Sequence, residues 1–442
     1  MKMENFNNMK KLIERKAYLD QLCMWREEEM IKVVTGVRRC GKSTLFDLYI
    51  ERLKEEGVSD EQIVFVNLED VDFSYLLNHK KLHEYVKTRI LNDKWIYVFI
   101  DEIQNCPEYE KAISSLYLRK NVDIYITGSN AYMLSGELAT KLTARYIEID
   151  MLPLSFKEYV EAVKMNYSVE TVKTVSRDET VKTVSRDETA KTEYSGSVKT
   201  PDMSERFYQY MNMGAFPYST RFVDNSLAHA QYLEGVYNTV LVKDVLTRKG
   251  LNDITLLKSI ASFLASNIGS PISAKKIADT LTSAGRPTGS ATVDTYLAAL
   301  TDAYLFYQVN RYDIKGKMRL KSEGKYYICD TGLRNMILGT VNTDICHQIE
   351  NIVYLELFRR GYTISVGKSG RGSEVDFVAI RNMKTEYYQV SASVLDESVL
   401  ERELLPLRQI KDNYPKYLIT LDEFTGDHDG IQQTNLIAWL NQ

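Results

Sequence analysis

The apolar residues in the first third of the chain form short continuous runs, separated by segments in which they recur every three or four positions. The runs cover residues 31–35, 63–67, 95–100, 122–127 and 146–149. A run that is apolar on both strand faces is typical of a parallel sheet covered by helices on both sides, and the three-to-four spacing is helical. Residues 1–165 therefore predict an α/β domain built on a parallel sheet.

The pattern changes after this domain. Residues 204–250 have helical spacing and predict a bridge or lid, and residues 251–328 predict three helices and two strands, the elements of a winged helix. Residues 329–442 predict a small α/β domain, with a helix followed by the paired strands 374–378 and 386–391. The expected architecture is thus one parallel-sheet domain followed by three smaller parts.

Residues 166–203 differ from both neighbours because they are repetitive. Nine residues, Glu170–Asp178, are followed at once by the same nine, Glu179–Asp187. A period of nine is too short for a solenoid, and the segment lacks the large apolar side chains that would offset the entropy cost of ordering. We predict a disordered, flexible loop; a docking segment for a partner is the alternative.

A glycine-rich loop carries the strongest candidate chemistry. It joins the run 31–35 to a helical pattern and fits G-x-x-x-x-G-K-[ST], the phosphate loop known as Walker A. Glycines at its two ends let successive backbone amides face an anion, and the following helix adds its dipole. We expect Lys42 to contact the β- and γ-phosphates of ATP and Ser43 to bind Mg²⁺. The predicted nucleotide-binding residues are Gly36, Val37, Arg38, Arg39, Cys40, Gly41, Lys42, Ser43 and Thr44.

Two acidic residues follow the run 95–100. Asp101 emerges at the carboxyl end of that strand, where nucleotides bind in parallel sheets, and is the candidate Mg²⁺ ligand opposite Ser43. Glu102 comes next and is the candidate base that orients and deprotonates an attacking water. Together the loop and the two acids predict ATP hydrolysis.

Further side chains are candidates at the nucleotide. The run 122–127 leads into Gly128-Ser129-Asn130, and the sequence leaves open whether Ser129 or Asn130 senses the γ-phosphate. Arg145 precedes the last run and can stabilise transition-state charge, in cis or on a neighbouring subunit, with a surface ion pair as the alternative. Arg15 is expected on a solvated helix face rather than at the nucleotide base.

Composition narrows the classes of partner. The net charge of -4 over 442 residues means that any DNA contact has to come from a local basic patch. The five cysteines have no C-x-x-C spacing, which argues against a zinc site and a disulfide framework and fits the cytoplasm. No run approaches the about 18 apolar residues of a transmembrane helix, so no membrane span is expected.

Four motifs together resemble one known family. GVRRCGKST, IYVFIDEIQ, YITGSNA and ARYIEIDMLPLSFKEY are similar to the AAA-type P-loop ATPases of bacteria and archaea that carry a C-terminal domain of unknown function, DUF4143. The resemblance covers nearly the whole chain except the repetitive segment. It implies that Lys42, Ser43, Asp101, Glu102 and Ser129 serve to bind and hydrolyse ATP.

The predicted winged helix offers a candidate DNA contact. Its third helix has no outward Lys or Arg, which argues against base readout. The wing is basic and can neutralise DNA phosphates without reading sequence, although a helix-turn-helix used only for packing is an equal alternative. The basic wing residues are Arg311, Lys315, Lys317, Arg319, Lys321 and Lys325.

Residues 329–442 resemble the restriction-endonuclease-like core. In that core a helix Glu, a strand Asp and a Glu-x-Lys pair hold Mg²⁺ and activate water. Glu350 and Asp376 match this pattern, but Gln389 replaces the third acid and Ser391 replaces the lysine. We therefore expect a degenerate, nuclease-shaped binding domain without nuclease activity.

The leading hypothesis is an ATPase that couples hydrolysis to conformational change in C-terminal domains that bind DNA or protein. The alternative is a nucleotide-controlled binding switch with little turnover. A small-molecule kinase is disfavoured, because Glu102 beside Asp101 suits activation of water. The sequence leaves the oligomeric state open, and an oligomer would allow Arg145 to act in trans.

Overall fold

The computed structural model describes residues 12–91, 94–129, 145–166, 202–247, 250–316, 318–339, 344–368 and 373–442. Side chains of residues 247 and 318–323 are not part of this description. Nearly all of the repetitive segment predicted at 166–203 lies outside the described residues, and so does Asn130. Among the described residues, no helix is both long and apolar enough to cross a membrane.

A parallel sheet forms the core of the N-terminal domain, as predicted. Its strands are β1 (Ile31–Thr35), β2 (Ile63–Asn67), β3 (Ile96–Asp101), β4 (Val122–Thr127) and β5 (Tyr146–Asp150). They are arranged in the order β2-β3-β4-β1-β5, and every pairing is parallel. All residues of β1, β3 and β4 are buried, which is why their sequences are apolar on both strand faces.

Helices cover both faces of this sheet. They are α1 (Lys16–Met24), α2 (Lys42–Glu55), α3 (His79–Lys87) and α4 (Tyr109–Tyr117). Successive side chains of β3 point to opposite faces, so that Phe99 packs with the aromatic rings of α2 while Val98 packs with the apolar residues of α3 and α4. The two-sided core explains the continuous apolar run of β3.

A group of helices follows β5. Residues 156–166 form α5, and they are followed by α6 (Met203–Met213), α7 (Ser226–Thr239) and a π-helical segment, Val240–Thr247. The π-helical segment continues α7 without a break and belongs to the same buried cluster as Val37 of the glycine-rich loop. The parallel sheet, α7 and the π-helical segment therefore share one core.

The next part contains three helices and an antiparallel hairpin. The helices are α8 (Ile254–Ser266), α9 (Ala274–Ser283) and α10 (Ser290–Asp302), and a short strand β6 (Pro271–Ile272) separates the first two. The hairpin consists of β7 (Phe306–Asp313) and β8 (Met318–Ile328). These elements lie in the predicted order, and their assignment as a winged helix stays a prediction.

The C-terminal part adds mixed strands and four helices. The helices are α11 (Thr331–Leu338), α12 (Ile345–Arg359), α13 (Glu397–Arg408) and α14 (Leu436–Leu440). The strands are β9 (Thr363–Lys368), β10 (Glu374–Arg381), β11 (Lys384–Val390), β12 (Lys416–Thr420), β13 (Gly426–His428) and β14 (Ile431–Asn435).

One nine-stranded sheet includes both the hairpin and the C-terminal strands, in the order β13-β14-β12-β11-β10-β9-β7-β8-β6. The connection is a parallel pairing of β7 with β9, in which Arg311 lies opposite Val366. The helix α12 packs on this sheet through Tyr354, whose ring stacks on Tyr327 with centroids 4.5 Å apart. The predicted boundary between residues 328 and 329 therefore falls inside a single sheet.

Candidate nucleotide site

The glycine-rich loop connects β1 to α2 at the carboxyl edge of the parallel sheet. Gly36 and Gly41 have φ angles of +138° and +107°, which favour glycine. A Cβ on Gly36 would lie 2.1 Å from the carbonyl oxygen of Met151, so no other residue fits there. Gly41 is the N-cap of α2, and the free amides of the first helical turn follow it. The predicted strand–loop–helix arrangement is present.

Lys42 is buried against its own loop. Its Nζ donates to the carbonyl oxygens of Gly36 at 2.9 Å and Val37 at 3.2 Å. The next residue, Ser43, is exposed on the first turn of α2. A buried ammonium beside an exposed hydroxyl is the pair of groups that the motif assigns to phosphate and Mg²⁺.

Arg15 supports the loop from behind and is 3% exposed, so the expectation that it lies on a solvated helix face is wrong. Its Nη1 donates to the carbonyl oxygen of Cys40 at 3.1 Å, and its Nη2 donates to that of Leu152 at 2.8 Å. Its Nε pairs with Glu158 Oε1 at 2.9 Å. The guanidinium has several donors in a rigid fork, which lets it join the loop to the segment after β5.

Thr127, the last residue of β4, joins the two predicted acids. The Thr127 hydroxyl donates a hydrogen bond to Asp101 Oδ1. Its oxygen, Thr127 Oγ1, also accepts a hydrogen bond from the Glu102 backbone amide at 2.9 Å. Glu102 has a φ of +53°, so the chain turns sharply between the two acids and separates their side chains. Its Oε2 accepts a hydrogen bond from Gln104 Nε2. Both carboxylates are thus held in place at the carboxyl edge of the sheet.

Arg38, in the centre of the loop, makes the most extensive charged contacts of the site. Its Nε and Nη2 donate to the two carboxylate oxygens of Asp244 at 3.0 and 3.2 Å, and its Nη1 donates to Glu69 Oε1 at 2.8 Å. Its Nη2 also lies 4.0 Å from Glu102 Oε2. Burial alone would lower the pKa of Arg38, but the carboxylates of Asp244, Glu69 and Glu102 together raise it.

Ser129 lies on the same side of the loop as Arg38. It is buried, and its Oγ donates to Asp244 Oδ1 at 3.3 Å. Asp244 belongs to the π-helical segment and is 1% exposed. The carboxylate of Asp244 therefore joins the loop, the residue after β4 and the helical part of the chain.

Two neighbouring acids of β5, Glu148 and Asp150, lie beneath the loop. The Thr35 hydroxyl lies 3.0 Å from Glu148 Oε1 and 3.1 Å from Asp150 Oδ1. The hydroxyl of Tyr304, which follows α10, donates to Glu148 Oε1 at 3.2 Å. Burial, and after it the charge of Asp150, raises the pKa of Glu148 to about 7. This pair links the end of β1 to the three-helix part.

The structure brings most of the predicted site residues together, but not Arg145. The nine loop residues, Asp101, Glu102 and Ser129 all lie at the carboxyl edge of the sheet. Arg145 precedes β5 at the amino edge, where its carbonyl accepts from the Ile31 amide at 2.8 Å and its guanidinium lies 5.2 Å from the Tyr117 ring centroid. A five-residue strand separates the two edges by roughly 15 Å. A role for Arg145 across a subunit interface stays a prediction.

The sequence reasoning missed two residues of the site. Thr127 could have been found, because it ends the strand that pairs with β3 in parallel register and so emerges beside Asp101. Asp244 had no such signal, since it lies 206 residues from Arg38 in a segment read only as helical.

Two of the basic wing residues face inward, which corrects their assignment to a DNA-binding surface. Lys325 is 4% exposed, and its Nζ lies 3.0 Å from Glu350 Oε1, 2.8 Å from Glu374 Oε1 and 3.8 Å from Asp376 Oδ1. Arg311 pairs with Glu374 Oε2 at 3.0 Å. The reason is the shared sheet, which places the hairpin beside acids of α12 and β10.

Lys315 is exposed. Lys317 and the side chains of Arg319 and Lys321 lie outside the described residues.

Glu350 and Asp376, two of the residues predicted to resemble a nuclease site, lie beside the ammonium of Lys325. Burial and the charge of Glu350 raise the pKa of Asp376 to about 8. Burial would raise the pKa of Glu350 too, but Lys325 keeps it below its usual range. Gln389 Nε2 donates to Glu403 Oε2 at 2.8 Å. A lysine thus supplies positive charge among these acids.

Two family models match separate parts of the chain. Residues 28–160 match the model described as an AAA domain, and residues 204–344 match one described as a domain of unknown function (DUF8612). The second differs from the DUF4143 domain implied by the resemblance, and it ends before α12.

Similar proteins extend over most of the chain. An uncharacterized protein of Haemophilus influenzae is 35% identical over 435 residues, which span 98% of this chain and 100% of that protein. An uncharacterized protein of Methanocaldococcus jannaschii is 28% identical over 383 residues, 85% of this chain and 77% of that protein. Among solved structures, a Walker-type ATPase of Pyrococcus abyssi has 14% identity and a TM-score of 0.49, covering 74% of this chain and 96% of that one.

Proposed function

Since this chain belongs to one family with the uncharacterized Haemophilus influenzae protein and carries an AAA domain at residues 28–160, we propose that it hydrolyses ATP with Mg²⁺ at the loop of Lys42. One observation carries the proposal: Thr127 holds Asp101 and Glu102 together beside that loop. The arrangement offers separate groups for phosphate, for metal and for water. No other site among the described residues combines these three features.

The residues present fit Mg-ATP. The exposed hydroxyl of Ser43 and the carboxylate of Asp101 are oxygen ligands, the kind that Mg²⁺ prefers. Partial burial, followed by the charge of Asp101, raises the pKa of Asp47, one helical turn after Ser43. A divalent cation held by Ser43 and Asp101 would relieve this repulsion between acids. It would also neutralise charge on the phosphates.

The remaining groups have distinct proposed roles. Glu102, oriented by Gln104, accepts the proton of the attacking water. Lys42 exchanges its loop carbonyls for phosphate oxygens, and Ser129 hydrogen-bonds the terminal phosphate. Arg38 supplies positive charge near Glu102. The terminal phosphate has to lie close to Glu102, because the water that Glu102 activates attacks that phosphate.

The test compares ATP hydrolysis and Mg-ATP binding in the wild type, Lys42→Ala and Glu102→Gln. We expect Lys42→Ala to lose nucleotide affinity, whereas Glu102→Gln still binds Mg-ATP but no longer turns it over. Glu61→Gln, which alters an exposed acid just before β2, is the matched control and should behave as the wild type. Normal turnover by Glu102→Gln would refute the base assignment. Absence of Mg-ATP binding by folded wild type would refute the proposal.

We further propose that the nucleotide controls the C-terminal parts, with residues 1–165 as the ATPase domain and 204–250 as the bridge to the winged-helix-like part. The contact of Asp244 with Arg38 supports this, because it joins the bridge directly to the loop. It also favours the second candidate function, a binding switch with little turnover. A slow ATPase whose partner affinity follows the bound nucleotide would support the switch.

The partner remains a choice between DNA and protein. Of the wing side chains that the structure describes, Lys315 alone is exposed, which weakens the case for DNA. Binding of duplex DNA at low salt, measured with and without a non-hydrolysable ATP analogue, decides between the two. Salt-dependent binding that weakens in Lys315→Ala would favour DNA, and no binding would favour a protein partner.

A further inference from the structure

The carboxylate of Asp244 fills an anion site made by the nucleotide-binding region itself. Arg38 binds both of its oxygens, at 3.0 and 3.2 Å, and Ser129 Oγ lies 3.3 Å from one of them. Bidentate guanidinium contacts of this kind suit carboxylate and phosphate equally well. The donors that hold Asp244 are therefore also suited to a phosphate.

We propose that Asp244 is a nucleotide-responsive latch, which holds Arg38 and Ser129 until the γ-phosphate of ATP takes its place. The proposal rests on the ATP-binding function proposed above and adds how binding is communicated. Asp244 would then be a positioning residue that restrains the site, rather than a group that takes part in hydrolysis.

The position of Arg38 selects the γ-phosphate as the competitor. Its Nη2 lies 4.0 Å from Glu102 Oε2, the proposed base, which has to stand next to the phosphate that water attacks. The loop amides bind the α- and β-phosphates, and Lys42 reaches the β- and γ-phosphates from the other side of the loop, so Arg38 and Ser129 are left to bind the γ-phosphate alone. ADP therefore lacks the group that would displace Asp244, and the latch distinguishes ATP from ADP.

Burial makes the displacement drive a movement. Asp244 is 1% exposed, and a buried carboxylate that loses a bidentate guanidinium is destabilised where it stands. Once Arg38 turns to a phosphate, a movement of the segment that carries Asp244 towards water or towards another cation offsets this loss. Contact of Arg38 with the γ-phosphate would therefore favour a shifted position of Val240–Thr247.

The segment that carries Asp244 has an unusual conformation. Val240–Thr247 is π-helical, a hydrogen-bonding pattern that is rare and is frequently found at functional sites. Its buried residues Val240, Leu241 and Val245 pack in one cluster with Leu257 of α8 and Leu300 of α10. A change in this segment is therefore transmitted to the three-helix part.

The test measures the dissociation constants of the full chain for Mg-ADP and for an imido analogue of ATP with Mg²⁺, by calorimetry, in wild type and Asp244→Asn. Removing the competing charge should tighten analogue binding about tenfold, as expected for loss of a charged hydrogen-bond pair. The dissociation constant for Mg-ADP should change by no more than about twofold, clearly less than the tenfold change expected for the analogue. Glu234→Gln, which removes an exposed acid from α7, is the charge-matched control and should change neither constant.

A second measurement uses the wild type alone. Amide hydrogen exchange of residues 240–246 should increase with the analogue and not with ADP. The latch would be overturned if Asp244→Asn changed the dissociation constants for both nucleotides equally. It would also be overturned if the analogue slowed amide hydrogen exchange of residues 240–246. Wild type that binds neither nucleotide would refute the proposed function itself. If Asp244→Asn fails to fold, the exchange measurement decides.

Discussion

Replacement of Thr127 by Val tests whether the two acids need their common hydroxyl. Val has nearly the shape of Thr, so packing in this fully buried position is retained while the hydroxyl is lost. The Glu102 amide then loses its acceptor, and Asp101 loses a donor. The substitution therefore removes two hydrogen bonds without creating a cavity.

The structure sets the size of the effect. A buried donor left without a partner costs about 1–3 kcal/mol, so the ATPase domain should lose about 2 kcal/mol of stability. For a domain of this size that corresponds to a fall of about 4–8 °C in the melting temperature. Loss of orientation at Glu102 should lower kcat by about tenfold, equivalent to about 1.4 kcal/mol in the barrier.

The assay combines thermal unfolding with steady-state ATP hydrolysis. Thr127→Ser keeps the hydroxyl and should retain most of the activity, although it removes a buried methyl group. Affinity for ADP measured without Mg²⁺ should be unchanged in Thr127→Val, because neither Lys42 nor the loop is altered. Wild-type kcat in folded Thr127→Val would show that the bridge through Thr127 does not position the acids.

Two further predictions concern charged side chains. Lys325→Met removes the buried ammonium beside Glu350 and Asp376 and should cost about 3–5 kcal/mol, seen as a lower melting temperature. Lys315→Met, at an exposed position of the same hairpin, should cost almost nothing, and equal losses would contradict the buried cluster. Glu148, held beside Asp150, keeps its proton when folded up to about pH 7, whereas its unfolded form ionises near its ordinary pKa of 4.5, so the raised pKa destabilises the fold increasingly as pH rises between these values. The melting temperature should therefore fall less between pH 5 and pH 8 in Glu148→Gln than in wild type. An identical fall in the two proteins would refute the raised pKa of Glu148.

The sequence by itself determined the features that depend on neighbouring residues. A β-branched run, two glycines and a lysine at fixed spacing specify a strand, a loop and a helix end, because each step rests on local backbone geometry. The same holds for Asp101 and Glu102, which follow a strand directly. Ser129 joined them because parallel strands bring their carboxyl ends to one edge. The rule also explains the position of Arg145, which precedes its strand and so lies at the other edge.

Only the tertiary structure decided which charges meet. Arg38 and Asp244 lie 206 residues apart, and no local pattern indicates that they pair. Lys325 looks like part of a basic surface in the sequence, yet the parallel pairing of β7 with β9 turns it towards Glu350. A charged side chain is stable in the interior only where a partner of opposite charge meets it, and the partner is chosen by the packing of distant segments.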